Sequence, residues 1–233
     1  MIKGEIIYTK DSEAFSNQIV KILIRIIYDC LNAQNKCSIA LSGGSTPIPV
    51  FEVLANKYHQ NTFDWSNVHI YFIDERCVPK NHPDNNFISC YDIWLKHCQK
   101  IHYHRIEGWL DPMDAALKYE QEIISLLDKR NGLPQFDLIF MGIGEDGHIA
   151  SLFPEYDFKM GNNYCVENVY IKSKDMHRVT MTLPILNNAK NRIIGIVGEK
   201  KKKIFKDLMN SDFRDYPVAQ LLSSDANDTW VIN

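Results

Sequence analysis

His148 stands at the end of Gly142-Ile-Gly-Glu-Asp-Gly-His148, the stretch where groups able to move a proton are most concentrated. An imidazole with an ordinary pKa near 6.5 accepts a proton from water at neutral pH, provided a neighbour fixes its tautomer. Glu145 and Asp146 are both close enough in sequence to do so, and spacing leaves open which one does. His148, Asp146 and Glu145 are therefore the catalytic candidates.

A second constellation is Ser42-Gly43-Gly44-Ser45-Thr46-Pro47. A Gly-Gly-Ser-Thr turn between a strand and a helix N-terminus gathers backbone N–H groups and two hydroxyls around one point, which suits a phosphate. An ordinary turn with Thr46 as N-cap explains the same residues equally well. The Gly-Lys-Ser/Thr ending of a Walker loop is missing. Asp74-Glu75-Arg76 offers an anion clamp in Arg76 and a hydroxyl acceptor in Asp74, with Glu75 read as a strand-end salt bridge. Arg178 is a second clamp. Lys200 opens a run of four lysines at a helix start, where cations oppose the helix dipole; a bound phosphate reverses that penalty for the nearest one. Lys200 is assigned that place and the other three a solvated face.

Two tempting readings fail. Gly142-x-Gly144-x-x-Gly147 matches a dinucleotide fingerprint, but Pro154 arrives too soon for the helix that should follow, so no cofactor is expected. His97, Cys98, His102 and His104 fit no standard zinc spacing, and no metal is expected.

The elements that must position these groups are legible as periodicity. Leu138 to Gly142 is almost uninterruptedly apolar, as in a central parallel strand buried on both faces. Glycines at the carboxyl end of such a strand lie where open α/β sheets bind ligands. Further strands are predicted over 5–9, 37–41, 68–73, 165–171, 177–182, 192–197 and 229–232. Helices are predicted after Asp11 or Ser12, from Pro47, and over 87–97, 112–129 and 199–208. Alternating strands and helices give an α/β fold, a Rossmann-like doubly wound, mostly parallel sheet flanked by helices, in a single domain over 1–233.

The chain has 233 residues, 45% of them hydrophobic, enough for one full core. A net charge of −3 gives no reason to expect nucleic acid or a membrane surface as partner. No run approaches the roughly 20 apolar residues of a membrane span. Charges recur from Lys3 onward, where a secretory leader would have its apolar core, and the six scattered cysteines read as reduced, packed thiols. The expectation is a cytoplasmic monomer or small homo-oligomer.

Gly144-Glu-Asp-Gly-His-Ile-Ala-Ser-Leu-Phe-Pro154 resembles the signature of the 6-phosphogluconolactonases. Ser42–Pro47, Asp74-Glu-Arg-Cys-Val-Pro79 and Arg178-Val-Thr-Met-Thr182 fall in the family's order. The related glucosamine-6-phosphate deaminases and isomerases resemble the chain through Asp-Gly-His-Ile-Ala. They then continue Phe-Asn-Glu-Pro, where Phe153 here replaces the ring-opening glutamate, and they have tyrosine in place of Arg76. The chain also departs from the lactonases, carrying Asp84-Asn-Asn86 where the family usually has Asp-Ser-Asn.

The resemblance implies a phosphorylated sugar lactone as substrate, hydrolysed by water that His148 activates. It puts the phosphate on Gly43, Gly44, Ser45 and Thr46 with Arg76, Arg178 and Lys200 as charge partners, and backbone N–H groups of the glycine turn at the oxyanion. A deaminase/isomerase and a non-catalytic sugar-phosphate sensor are the alternatives.

Overall fold

The computed structural model describes residues 2–58, 63–156, 164–210, 216–223 and 225–233. Strand β1 (Glu5–Tyr8) leads into α1 (Ser12–Gln34). Asp11 caps that helix by accepting from the Ala14 N–H at 2.7 Å, and the stripe Phe15, Ile19, Ile22, Leu23, Ile26 and Ile27 is buried. Asn35, in the left-handed region at φ 54°, ends it and turns the chain into β2 (Cys37–Leu41). Then follow α2 (Ile48–Lys57), β3 (Val68–Phe72), β4 (Asp74–Arg76), α3 (Asn86–Ile93), β5 (His102–His104) and α4 (Pro112–Leu126). A small hairpin, β6 (Lys129–Arg130) and β7 (Leu133–Pro134), precedes β8 (Leu138–Gly142). The chain ends through β9 (Val166–Ile171), β10 (Met176–Met181), α5 (Leu183–Asn187), β11 (Asn191–Ile196), α6 (Glu199–Met209) and β12 (Asn227–Ile232).

Seven strands form a sheet in the order β1-β12-β11-β8-β2-β3-β5, and every pairing in it is parallel. From β2 the chain winds outward to β3 and β5, then returns to β8 and winds the other way. The switch point therefore lies between β2 and β8, so the loops leaving their carboxyl ends splay apart. Those loops are 42–47 and 143–148, the two stretches singled out from sequence. Leu138 to Met141 and all of β2 are buried, as strands covered on both faces must be.

The sequence expectation departs from the structure at Asp74. The parallel strand stops at Phe72, and Asp74–Arg76 joins a separate antiparallel sheet, β4-β10-β9. In its register Arg76 lies opposite Arg178 and Asp74 opposite Thr180. The predicted helix over 87–97 is a shorter α3 followed by a 3-10 turn, Leu95–His97, and the helix over 112–129 ends at Leu126. The edge strand His102–His104 was not predicted. The polar segment expected after Pro154 falls mostly on 157–163, outside the described residues.

Arg192 anchors the base of the sheet while wholly buried. Its guanidinium donates to Asp228 through Nε (2.7 Å) and Nη2 (2.9 Å), to Asn187 Oδ1 (2.7 Å) and to the Leu221 carbonyl (2.9 Å). Removing one member of such a pair leaves the other charge buried alone. Asp228→Ala should lower unfolding free energy by about 3–5 kcal/mol in urea titrations; a loss under about 1 kcal/mol would contradict that account.

Candidate active site

Beyond β8 the chain enters a turn that bonds back on itself. The Gly144 N–H donates to the His148 carbonyl at 2.8 Å and the Gly147 N–H to the Gly144 carbonyl at 3.2 Å. Two glycines are required. A Cβ on Gly144 would lie 2.0 Å from His148 Nδ1 and 2.6 Å from Asp146 Oδ1, and Gly147 adopts φ +81° against the Tyr216 ring. Folded this way, His148 Nδ1 lies 2.6 Å from Asp146 Oδ1, which also accepts from the His148 N–H at 3.1 Å. Burial pushes the Asp146 carboxyl up, but these two hydrogen bonds outweigh it and leave the group below its usual value. An ionised carboxylate only accepts, so Nδ1 bears the proton and the neutral ring keeps its lone pair on Nε2. The imidazole stacks on Phe153 at 4.0 Å between centroids and 19° between planes.

The structure thus distinguishes the two acids. Asp146 faces the imidazole, whereas Glu145 pairs with Lys200 at 2.6 Å with both side chains exposed. Of the expected oxyanion donors, the N–H groups of Gly144, Gly147 and His148 are already engaged within the turn.

A cleft of about 300 Å³ opens beside His148, and Ser42 to Thr46, Asp74, Arg76, Asn86, Ala150, Arg178 and Lys201 border it. Gly43 admits Asn86, whose Oδ1 would meet a Cβ there at 1.8 Å, and Gly44 holds φ +84°. Thr46 is not a side-chain cap; Pro47 occupies the N-cap position and no side chain caps the helix. Instead Thr46 Oγ1 accepts from Lys201 Nζ at 3.4 Å.

Lys200 is therefore a correction, because Lys201 is the lysine that turns inward. Burial lowers its pKa against the pull of Glu145. The signal was present in the helix period. Ile204, Phe205 and Leu208 form the buried face of α6, and position 201 continues that stripe by one turn.

Arg76 and Arg178 face each other across the small sheet, where like charges directly opposite are unfavourable without an anion. The Arg178 guanidinium is 3.8 Å from Asp74 Oδ2, and burial lowers its pKa while Asp74 opposes the shift. Nε of each arginine is buried without a partner. Ser151 Oγ donates to Asp74 Oδ2 at 2.7 Å, tying the glycine-turn segment to the small sheet.

Glu75 is no salt bridge. Its buried carboxylate accepts from the N–H groups of Arg76 (2.8 Å), Asn86 (2.7 Å) and Phe87 (3.0 Å), clamping the start of α3 to β4. Burial pushes it up to about 7 against those three bonds. Asn85, where the family resemblance leads one to expect serine, caps α3 by accepting from the Ile88 N–H at 3.0 Å, a task that serine also performs.

A sequence model of the family described as glucosamine-6-phosphate isomerases/6-phosphogluconolactonase matches residues 10–230. The chain belongs to that family. It is 30% identical over 216 residues to 6-phosphogluconolactonase of Haemophilus influenzae, covering 89% of this chain and 88% of that one. It is 31% identical over 204 residues to 6-phosphogluconolactonase of Synechocystis, covering 84% and 81%. The crystal structure of 6-phosphogluconolactonase from Thermotoga maritima superposes with a TM-score of 0.84 at 28% identity, covering 99% of both chains. The Trypanosoma brucei 6-phosphogluconolactonase structure, 24% identical, shares the fold with a TM-score of 0.90 over 100% of this chain and 97% of that one.

Two outcomes follow from this geometry. Lys201→Ala should weaken 6-phosphogluconate binding, measured by calorimetry, by the roughly 1.5–3 kcal/mol of a charge-assisted hydrogen bond, and Lys200→Ala should leave it nearly unchanged; equal effects would contradict the assignment. Glu75 keeps a proton in the folded state from its ordinary value of 4.5 up to about 7. The unfolded chain has released that proton, so stability falls as pH rises through that window. Glu75→Gln should flatten this slope in denaturant titrations across pH; an unaltered slope would assign it elsewhere.

Proposed function

We propose that this chain hydrolyses 6-phospho-D-glucono-1,5-lactone to 6-phospho-D-gluconate, the second step of the oxidative pentose phosphate pathway. The observation that carries the reading is one cleft with an imidazole held 2.6 Å from a carboxylate beside a cluster of cations. The phosphate sits on the Gly43–Thr46 turn with Arg76, Arg178 and Lys201 as charge partners. Anchoring that remote dianion holds the C1 carbonyl beside His148, and the orientation lowers the barrier. Nε2 takes a proton from water as the water attacks C1. The imidazolium then protonates the departing ring oxygen while the Asp146 carboxylate steadies its charge. The enzyme works in the cytoplasm, as a monomer or small homo-oligomer, without a cofactor.

Phe153 favours the lactonase over the deaminase. A carboxyl is what ring-opening chemistry requires at that position, and the phenyl ring stacked on His148 carries no proton. The purified chain should hydrolyse the lactone above its spontaneous rate and release no ammonia from glucosamine 6-phosphate. His148→Ala should lower kcat by roughly 10²–10⁴ and still bind 6-phosphogluconate; near-normal turnover would remove His148 from the mechanism.

A further inference from the structure

At the opposite edge of the sheet from the cleft lies a larger cavity of about 770 Å³, bordered by Lys3, Arg25, Cys30 and Lys190. Cys30, in the last turns of α1, is half-buried, whereas Cys37, the first residue of β2, is fully buried. The reversal at Asn35 brings them together, so that their sulfurs and an Asp137 carboxylate oxygen all lie within 4.8 Å of one another.

That carboxylate is not free to complete a metal site. Its oxygens accept from the Ser38 N–H and Oγ (both 2.8 Å), Gln34 Nε2 (2.9 Å) and Lys190 Nζ (2.6 Å). Two thiols remain, one at a cavity wall and one behind it.

We infer that Cys30 and Cys37 form a dithiol that a low-molecular-weight disulfide such as glutathione disulfide converts to an intramolecular disulfide. The Cys30 thiolate attacks one sulfur of the small molecule, forming a mixed disulfide and expelling a thiolate. Cys37 then attacks the Cys30 sulfur, its proton passing to the second thiol as that leaves. Two protein thiols are oxidised and one disulfide is reduced to two thiols.

The division of labour follows from surroundings. A hydrogen bond from Cys37 holds the Cys30 thiol below its usual value against burial and the Asp137 carboxylate, with a smaller pull from Lys190. Cys37 is pushed far up by donating that bond and by burial. The accessible thiol of lowered pKa attacks and its buried neighbour resolves. The cavity wall is of mixed charge, Lys3 and Arg25 standing with Glu5 and Asp29 while Asp137 holds Lys190, so a zwitterionic peptide disulfide such as glutathione disulfide meets both signs there. Bond formation requires the sulfurs, now within 4.8 Å, to close to about 2.05 Å, with Cys30 at the cavity wall.

The test treats the reduced, folded protein with glutathione disulfide and reads intact mass and tryptic peptides, which are cut apart after Lys36 unless bridged. The wild-type chain should lose two hydrogens, keep the peptides of Cys30 and Cys37 joined until dithiothreitol is added, and hydrolyse the lactone as before. Cys37→Ser should retain glutathione on Cys30, and Cys30→Ser should acquire neither bridge nor adduct at Cys37. A wild-type chain that stays unmodified, carries a lasting adduct on Cys30, or reacts first at another cysteine would overturn the inference.

Discussion

The site rests on one contact, between the His148 imidazole and the carboxylate two residues earlier, made across a turn that bonds back on itself. Gly144 clears the space in which His148 Nδ1 and Asp146 Oδ1 approach to 2.6 Å, and Gly147 supplies the positive φ that reverses the chain. Because the carboxylate is ionised, the bond has one polarity, and the free lone pair lies on the other nitrogen. Phe153 stacks against the ring and resists its rotation. Asp146, His148 and the glycines are therefore held as one unit at the end of a strand buried on both faces.

The second requirement is charge, and a different sheet supplies it. Arg76 and Arg178 are placed opposite each other by antiparallel pairing, a repulsive arrangement that an anion between them would relieve. Asp74 offsets part of it, and Ser151 links that aspartate to the segment following His148. Glu75, pointing away from the cleft, binds the start of α3, which carries Asn86, through two backbone bonds. The cationic end and the imidazole end are thus braced against each other by buried polar contacts.

Much of this was legible because it is local or periodic. The apolar run into Gly142, the Asp11 cap and the stripe of α1 each follow from neighbours in sequence, and the observed elements match them. Four ordered motifs identified the family, which the comparisons bear out. The small antiparallel sheet was not legible, since three residues show no alternation and the partner strand lies a hundred positions away. The dipole penalises every lysine at the start of α6 alike, whereas the period of its buried face brings Lys201 inward and leaves Lys200 exposed. The edge strand His102–His104 shows no apolar alternation, because its histidine rings stack on His69 and Tyr71. Glu75 escaped because a carboxylate serving backbone N–H groups has no signature in side-chain spacing.

The claim on which the rest turns is the tautomer of His148, which nitrogen NMR reads directly. In protein labelled with ¹⁵N at histidine, the His148 ring at neutral pH should show a protonated Nδ1 and an unprotonated Nε2, and Asp146→Asn should abolish that preference. A proton resident on Nε2 in the unmutated chain, or a ring indifferent to the loss of the Asp146 charge, would contradict the account.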